Sequence, residues 1–158
     1  MTMAEEKKNR NILIAIDGSD QSKFAFQFYL DNIRQEDDNV TMVHAVEMSE
    51  MISAQPFSSP YSFDPGVMAA LLKKEKEKVT AELQKFAVLM TDAGVKGTVK
   101  SVHTSTPGEG IVQVADEVNA DLIVTGSRGL GTIRRTLIGS TSDYILHHAT
   151  VPVVICRK

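Results

Sequence analysis

The chain has 158 residues, the length of one ordinary domain and enough to bury a core without disulfides or a structural metal. Its apolar fraction of 42% and charged fraction of 23% are those of a globular protein, and its net charge of −3 argues against binding to nucleic acid or an anionic membrane. The single cysteine, Cys156, excludes an intramolecular disulfide, and no segment resembles a signal peptide or membrane span, so we expect a cytoplasmic protein.

Predicted strands and helices alternate from the start of the chain. After a polar segment, residues 1–10, which we expect to be flexible, Asn11 to Asp17 (NILIAID) is a short apolar run typical of a strand buried on both faces. A helix with apolar residues on one face follows, and Val40 to Val46 is a second strand. Residues 48–66 hold three of the five prolines and are expected to form a long, mobile surface loop.

A long helix is predicted next, from Val67 to Ala93. Gly94 stands where a C-terminal glycine would end it. The apolar residues of this helix recur at helical spacing and are expected to form its buried face: Leu72, Val79, Leu83, Phe86 and Met90.

The remaining elements continue the alternation. Thr98 to His103 is predicted as the third strand, and Thr106-Pro-Gly-Glu109 has the spacing of a capping box that opens a short helix. Asp121 to Thr125 is the fourth strand. A glycine-punctuated loop then leads to a helix that begins at Ser140, and Val151 to Cys156 is the last strand.

This pattern predicts a single α/β domain over residues 1–158, with a doubly wound, Rossmann-like sheet of five parallel strands and helices on both faces. Ligands bind such sheets beyond the carboxyl ends of the strands, where the winding reverses. The first strand, which lies at that reversal in the common strand orders, ends at Asp17-Gly18-Ser19, and the fourth ends at Thr125-Gly126-Ser127. These two ends are the candidate walls of a shared crevice; periodicity alone leaves open whether the strands are neighbours.

The glycine-spaced segment after the fourth strand carries the strongest chemical signal. Gly126-Ser-Arg-Gly129 is followed, after nine residues, by Gly139-Ser140-Thr141-Ser142 at the start of a helix. Glycines let the backbone approach a ligand, and a helix N-terminus offers unpaired N–H groups and a positive partial charge. We interpret the segment as a phosphate cradle to which Arg128 adds charge. The alternative is a set of turn glycines and a Ser140–Asp143 capping box.

The spacing of these residues resembles the ATP-binding members of the universal stress protein family, which carry G-x2-G-x9-G-[ST] after the fourth strand. Gly126, Gly129, Gly139 and Ser140 match this motif, and the segments Asp17-Gly18-Ser19 and VPVVI match the family as well. The resemblance implies the strand order 3-2-1-4-5. It also implies ATP, or another adenine nucleotide, accompanied by Mg²⁺ that is held mainly through phosphates and water.

The resemblance further implies a role for each site residue. Asp17, flanked by Ile16 and Gly18, would contact the ribose, and a backbone group of Val46 would hold the adenine. The remaining residues would contact ribose and phosphates: Thr125, Gly126, Ser127, Arg128 and Gly129 after the fourth strand, and Gly139, Ser140, Thr141 and Ser142 at the last helix.

A homodimer is also implied, through the last strand, Val151–Cys156. Its apolar edge is an aggregation risk that a second copy would cover, and Pro152 favours an edge position; a short edge strand shielded by a loop is the alternative. Cys156 is expected to be a small buried hydrophobe. Glu47 faces either the cleft or solvent, and the four histidines share no metal-ligand spacing.

For function, the resemblance implies an ATP-binding module of stress response or signalling that acts through nucleotide-dependent conformational change. One alternative is a slow ATPase or phosphotransferase, although the sequence shows no dedicated base and we assign no catalytic residue. The other is an interaction scaffold that binds no nucleotide. We expect no nucleic-acid or membrane partner.

Overall fold

A computed structural model describes residues 9–47, 65–127 and 138–158 of the chain. Within these ranges, strands and helices alternate as predicted. The elements are β1 (Asn11–Ala15), α1 (Asp20–Asn32), β2 (Asn39–Glu47), α2 (Pro65–Asp92), β3 (Gly97–Thr104), α3 (Pro107–Glu117), β4 (Leu122–Gly126), α4 (Ser140–His148) and β5 (Val153–Cys156).

The strands form one parallel sheet in the order β3-β2-β1-β4-β5, which confirms the expected order. Central β1 pairs with β2 on one side and with β4 on the other, with Ile14 opposite Met42 and Val124. The winding therefore reverses between β1 and β4. This arrangement brings the carboxyl ends of these two neighbouring strands together at one end of the sheet.

Both faces of the sheet are covered, which explains why β1 is apolar from Ile12 to Ala15. Alternate side chains of a strand point to opposite faces. Ile12 and Ile14 pack in a layer with α1 and α2, whereas Leu13 and Ala15 pack in a layer with α3 and α4. Full burial of each aliphatic side chain contributes about 1.5–3 kcal/mol. Within the described ranges, no helix is both long and apolar enough to cross a membrane.

Helix α2 starts earlier and is less buried than the sequence predicts. Pro65 and Gly66, assigned to the predicted loop at 48–66, form its first turn, where proline is tolerated; the rest of that predicted loop lies outside the described residues. Leu72 is 48% exposed, so its predicted place on the buried face is wrong. A 28-residue helix is about 42 Å long and eight-residue β3 about 26 Å, so the first turns of α2 extend beyond the sheet.

The two predicted helix-end signals have different outcomes. Gly94 does end α2, with a positive φ of +63°. Its N–H donates to Thr91 O (3.0 Å), and the N–H of Val95 donates to Met90 O (3.0 Å). These two hydrogen bonds form a Schellman motif. The capping box at Thr106 is wrong, because the Thr106 side chain makes no cap bond. Thr104 Oγ1 instead accepts the Thr106 N–H at 3.0 Å.

The last strand is shorter than predicted. It begins at Val153, so Pro152 precedes it rather than lying within it. The Pro152 carbonyl, which proline retains, accepts the N–H of Ile123 at 3.0 Å. Cys156 is buried as expected, and burial raises the pKa of its thiol.

The buried carboxylate of Asp38 forms hydrogen bonds with several chain segments at the amino end of the sheet. Arg10 donates to both oxygens of Asp38 at 2.8 Å, and Asp38 Oδ2 also accepts from the Tyr29 hydroxyl (2.9 Å) and the Gln35 N–H (2.8 Å). Burial by itself would raise the pKa of Asp38, but these hydrogen bonds more than offset it and hold that pKa below its ordinary value of 3.8. Burial and the bond to Asp38 raise the pKa of Tyr29.

Candidate functional site

A cavity of about 160 Å³ lies beyond the carboxyl ends of β1, β2 and β4. The N-termini of α1, α3 and α4 also reach it, and each helix N-terminus carries roughly half a positive charge. The strand ends contribute Ala15, Ile16, Asp17, Val43, Ala45, Glu47, Thr125 and Gly126, and the helix starts contribute Ser19, Gln21, Ser22, Pro107, Ile111, Gly139, Ser140, Thr141 and Ser142.

The strand order separates an apolar from a polar part of this cavity. On the β2 side, the lining includes Val43, Ala45, Pro107 and Ile111, and the Glu47 carboxylate lies at the strand end. On the β4 side, beyond β1, lie the hydroxyls of Thr125 and of the first turn of α4. Asp17, at the end of central β1, lies between the two parts. The cavity therefore suits a ligand with an apolar group at one end and an anionic group at the other.

The first turn of α4 presents backbone donors to the cavity. Its N-cap is Gly139, which has no side chain, and no side-chain cap bond is present among the described residues. Asp143 N–H donates to Gly139 O at 2.8 Å, which leaves the earlier N–H groups, those of Ser140, Thr141 and Ser142, outside the intrahelical ladder. The Ser140–Asp143 capping box that was the alternative is therefore wrong, because Ser140 is the first helical residue and not the N-cap.

A network of short-range hydrogen bonds fixes Asp17 in the turn between β1 and α1. Asp17 Oδ1 accepts the Ser19 N–H at 2.9 Å, and Gly18 takes the positive φ of +79° that this turn needs. Ser19 is the N-cap of α1, and its hydroxyl accepts the Ser22 N–H at 3.2 Å. The Ser22 hydroxyl accepts the Asp17 N–H at 3.3 Å. Asp17 is exposed and lines the cavity.

Gly126 allows β4 and α1 to approach each other closely. A Cβ at this position would lie 2.5 Å from the carbonyl oxygen of Gln21 and 3.1 Å from the Ser22 nitrogen. Because both atoms are backbone in the first turn of α1, neither can move without displacing the helix. Gly126 is therefore required for packing whether or not a ligand is present, a role that the phosphate-cradle interpretation missed.

Comparison with known proteins supports the fold. A model of the universal stress protein family matches residues 8–157. The chain belongs to the universal stress protein family. It is 31% identical over 149 residues to a provisionally named universal stress protein of Staphylococcus aureus (strain USA300), a match that covers 94% of this chain and 84% of that protein.

Two solved structures of the universal stress protein family are similar to this member. A universal stress protein in complex with cAMP has a TM-score of 0.65 and 25% identity, over 93% of this chain and 96% of that one. A family protein from Arabidopsis thaliana with AMP bound has a TM-score of 0.65 and 22% identity, over 94% and 92% of the respective chains. The second likeness shows the shared fold alone.

In this family member, most of the residues predicted from the sequence meet at one cavity. Its lining includes Ile16, Asp17, Thr125, Gly126, Gly139, Ser140, Thr141 and Ser142. Gly18 and Val46 are not in the lining, and the alternation of Val43, Ala45 and Glu47 puts the Val46 side chain on the opposite face of β2. Ser127 is also absent from the lining; it is buried, and its N–H donates to Cys156 O at 2.9 Å. Arg128 and Gly129 lie outside the described residues.

The structure adds site residues that the sequence analysis missed. Glu47 lines the cavity and is also exposed to solvent, so it has features of both predicted positions. Ser19 carried a signal that could have found it, since an N-cap serine directly after Asp17 opens α1. Pro107 and Ile111 carried none, because only the winding of the chain brings α3 over the ends of β1 and β2. Among the described residues, no group of three or more His, Cys, Asp or Glu could hold a metal ion.

Proposed function

We propose that this chain binds an adenine nucleotide, ATP foremost, and acts in stress response or signalling through a nucleotide-dependent change in conformation. The observation that carries the proposal is the first turn of α4, which begins at a glycine N-cap and lines the same cavity as Asp17. Anions bind at helix N-termini because the unpaired N–H groups and the helix dipole both favour negative charge.

The order of groups along the cavity matches the order of groups in a nucleotide. The base would occupy the apolar part, between Val43 and Ile111, next to the backbone of Val46. The ribose hydroxyls would donate to Asp17, and the phosphates would reach the N–H groups that follow Gly139. The cAMP bound by the family protein of 25% identity supports adenine-nucleotide binding in general. Ser127, Arg128 and Gly129 would add contacts to ribose and phosphate from the loop.

Mg²⁺ would enter with the phosphates. The chain offers hydroxyls from Thr125 and the first turn of α4, and the carboxylate of Asp17 belongs to the ribose in this assignment. Mg²⁺ keeps several waters and depends strongly on substrate phosphates, so here it would be held mainly through phosphates and water. When bound, Mg²⁺ would neutralise phosphate charge.

The direct test of binding is calorimetric titration of the protein with Mg-ATP, AMP and cAMP. In Asp17→Asn, the Oδ1 atom can still accept the Ser19 N–H, so the turn is kept while the charge is lost. Hydrogen bonds to a charged group contribute about 1.5–3 kcal/mol, so we expect affinity for Mg-ATP to fall about 10- to 100-fold. Asp92→Asn, at the exposed end of α2, is the matched control. Wild-type protein that binds none of the three ligands would end the proposal.

Hydrolysis is the second candidate function, and Glu47 bears on it. This carboxylate lines the cavity at the end of β2, on the side proposed for the base, whereas a catalytic base would be needed beside the phosphates. We therefore expect weak hydrolysis at most. A single-turnover rate well above background that disappears in Asp17→Ala would favour the enzyme instead.

We also propose that the protein is a cytoplasmic homodimer joined through β5. This strand is an edge of the sheet, and Val153, Val154 and Ile155 are only half-buried in the single chain. A second copy paired along that edge would cover them. Light scattering should give twice the chain mass, and Val153→Lys should give the monomer. Val99→Lys, at the opposite edge strand β3, is the control and should leave the mass unchanged.

A further inference from the structure

His44 lies behind the candidate site, on the face of β2 opposite the cavity. Its neighbours Val43 and Ala45 line the cavity, so alternation turns the imidazole toward the α1 and α2 side of the sheet. The half-buried ring places Nδ1 3.1 Å from the carbonyl oxygen of Ile16. Because a carbonyl oxygen only accepts hydrogen bonds, Nδ1 must carry a proton and donate it.

This bond holds the residue that immediately precedes Asp17. Ile16 lies just beyond the last residue of β1, and its N–H donates to Val43 O at 2.9 Å. Both backbone polar groups of Ile16 therefore form hydrogen bonds with β2. Its N–H donates to a backbone carbonyl, and its C=O accepts from the imidazole of His44. The chain thus leaves the sheet in a fixed direction at the point where Asp17 begins the turn.

Helix α2 supports the same turn through Phe86. The buried ring of Phe86 meets His44 edge-on, with ring centroids 5.5 Å apart and planes inclined by 60°. Its Cζ atom is also 3.8 Å from the place that a Cβ would take on Gly18. One aromatic side chain of α2 therefore packs against both the histidine and the turn that carries Asp17.

We infer that His44 is a positioning residue of the nucleotide site, which sets the direction of the Asp17–Ser19 turn through its bond to Ile16 without touching the ligand. The inference rests on the proposed function. A carboxylate that is already oriented loses less freedom when it accepts ribose hydroxyls, so binding is tighter. Gly18 adopts a positive φ in this turn, and glycine can take many backbone conformations. The hydrogen bond from His44 to Ile16 limits the conformations that the turn can reach.

The test compares two substitutions that separate the hydrogen bond from the bulk of the side chain. His44→Leu removes the donor and keeps an apolar side chain. His44→Asn keeps an N–H donor on the Cγ atom, where Nδ1 is attached in histidine. We expect His44→Leu to weaken Mg-ATP binding about 3- to 10-fold, the usual range for one net hydrogen bond, and His44→Asn to bind within about twofold of wild type. His103→Leu, at an exposed site on β3, is the matched control and should bind as wild type does.

Backbone order measured without nucleotide keeps the inference separate from the proposed function. ¹⁵N relaxation should show rigid amides at Gly18 and Ser19 in wild type and in His44→Asn, and greater motion on the ps–ns timescale in His44→Leu. Wild type that fails to bind Mg-ATP would overturn the proposed function, while unchanged order in His44→Leu would overturn the role of His44. Equal Mg-ATP affinity of His44→Leu and wild type, or equal weakening by Leu and Asn, would also overturn it.

A measurement on the wild-type protein covers the case in which a variant does not fold. The ring nitrogens of His44 can be distinguished by their ¹⁵N chemical shifts. We expect the proton on Nδ1 in the neutral ring, since that nitrogen faces Ile16 O. A proton on Nε2 instead would exclude the bond and the inference with it.

Discussion

Replacing Gly139 with valine should separate phosphate binding from folding. Gly139 is the N-cap of α4, with φ −61° and ψ 151°, an extended conformation that β-branched residues adopt readily. The substitution therefore imposes no backbone strain. An apolar residue is a poorer N-cap than glycine, so we expect the free energy of unfolding to fall by about 1 kcal/mol at most.

The expected loss of affinity is much larger than this loss of stability. Gly139 lines the cavity, so in the proposed assignment we expect the valine side chain to take space that phosphate oxygens need beside the N–H groups of Ser140, Thr141 and Ser142. Each hydrogen bond to a charged group contributes about 1.5–3 kcal/mol, so loss of two removes about 3–6 kcal/mol. At about 1.4 kcal/mol per factor of ten, affinity for Mg-ATP should fall at least about 100-fold.

The assay compares two ligands on the same variant. Calorimetric titration of Gly139→Val with Mg-ATP and with adenosine should show the large loss for Mg-ATP alone, because adenosine has no phosphates. Urea unfolding of the same samples measures the stability. Gly139→Ala, with a smaller side chain, should lie between wild type and valine in Mg-ATP affinity. Unchanged affinity for Mg-ATP, or equal losses for the two ligands, would refute the assignment of phosphates to this turn.

Three further predictions concern stability and reactivity. Gly126→Ala places a Cβ 2.5 Å from the Gln21 carbonyl oxygen and should destabilise the fold by about 1–3 kcal/mol in urea unfolding, by displacing α1; an unchanged midpoint would contradict this close packing. Asp38→Asn breaks a partly buried ion pair and should cost about 2–4 kcal/mol. The folded-state pKa of Asp38 lies below 3.8, so the unfolded chain binds this proton at a higher pH than the folded chain does. The stabilisation by the Asp38 carboxylate is therefore complete above pH 3.8 and is lost as pH falls through the folded-state pKa. Acid unfolding of Asp38→Asn that is as steep as that of wild type would contradict this role. Cys156 is buried and its pKa is raised, so an aromatic disulfide reagent at about pH 8 should label it slowly in the native protein. The labelling rate should rise in urea as the chain unfolds. Rapid labelling of the native protein would show that the thiol is exposed.

Features with a local cause were predictable from the sequence. The apolar run of β1 and the glycine that ends α2 depend on side-chain burial and on a positive φ within a few residues, and both are confirmed. The same logic failed for Leu72, because periodicity marks the face of a helix but not how far the sheet beneath it extends. It failed for Thr106 because Thr104, on the preceding strand, accepts the N–H that a capping box would use.

The sequence by itself determined the alternation of elements, the carboxyl-end location of the candidate site and the glycine-spaced segment before α4, because periodicity and turn chemistry act between residues close together in the chain. Only the tertiary structure decided that Gly126 packs against Gln21, that Ile111 closes the apolar part of the cavity and that His44 holds Ile16. These contacts join residues far apart in the sequence, and each depends on the order in which the strands enter the sheet. No local pattern encodes that order, so no local pattern could predict them.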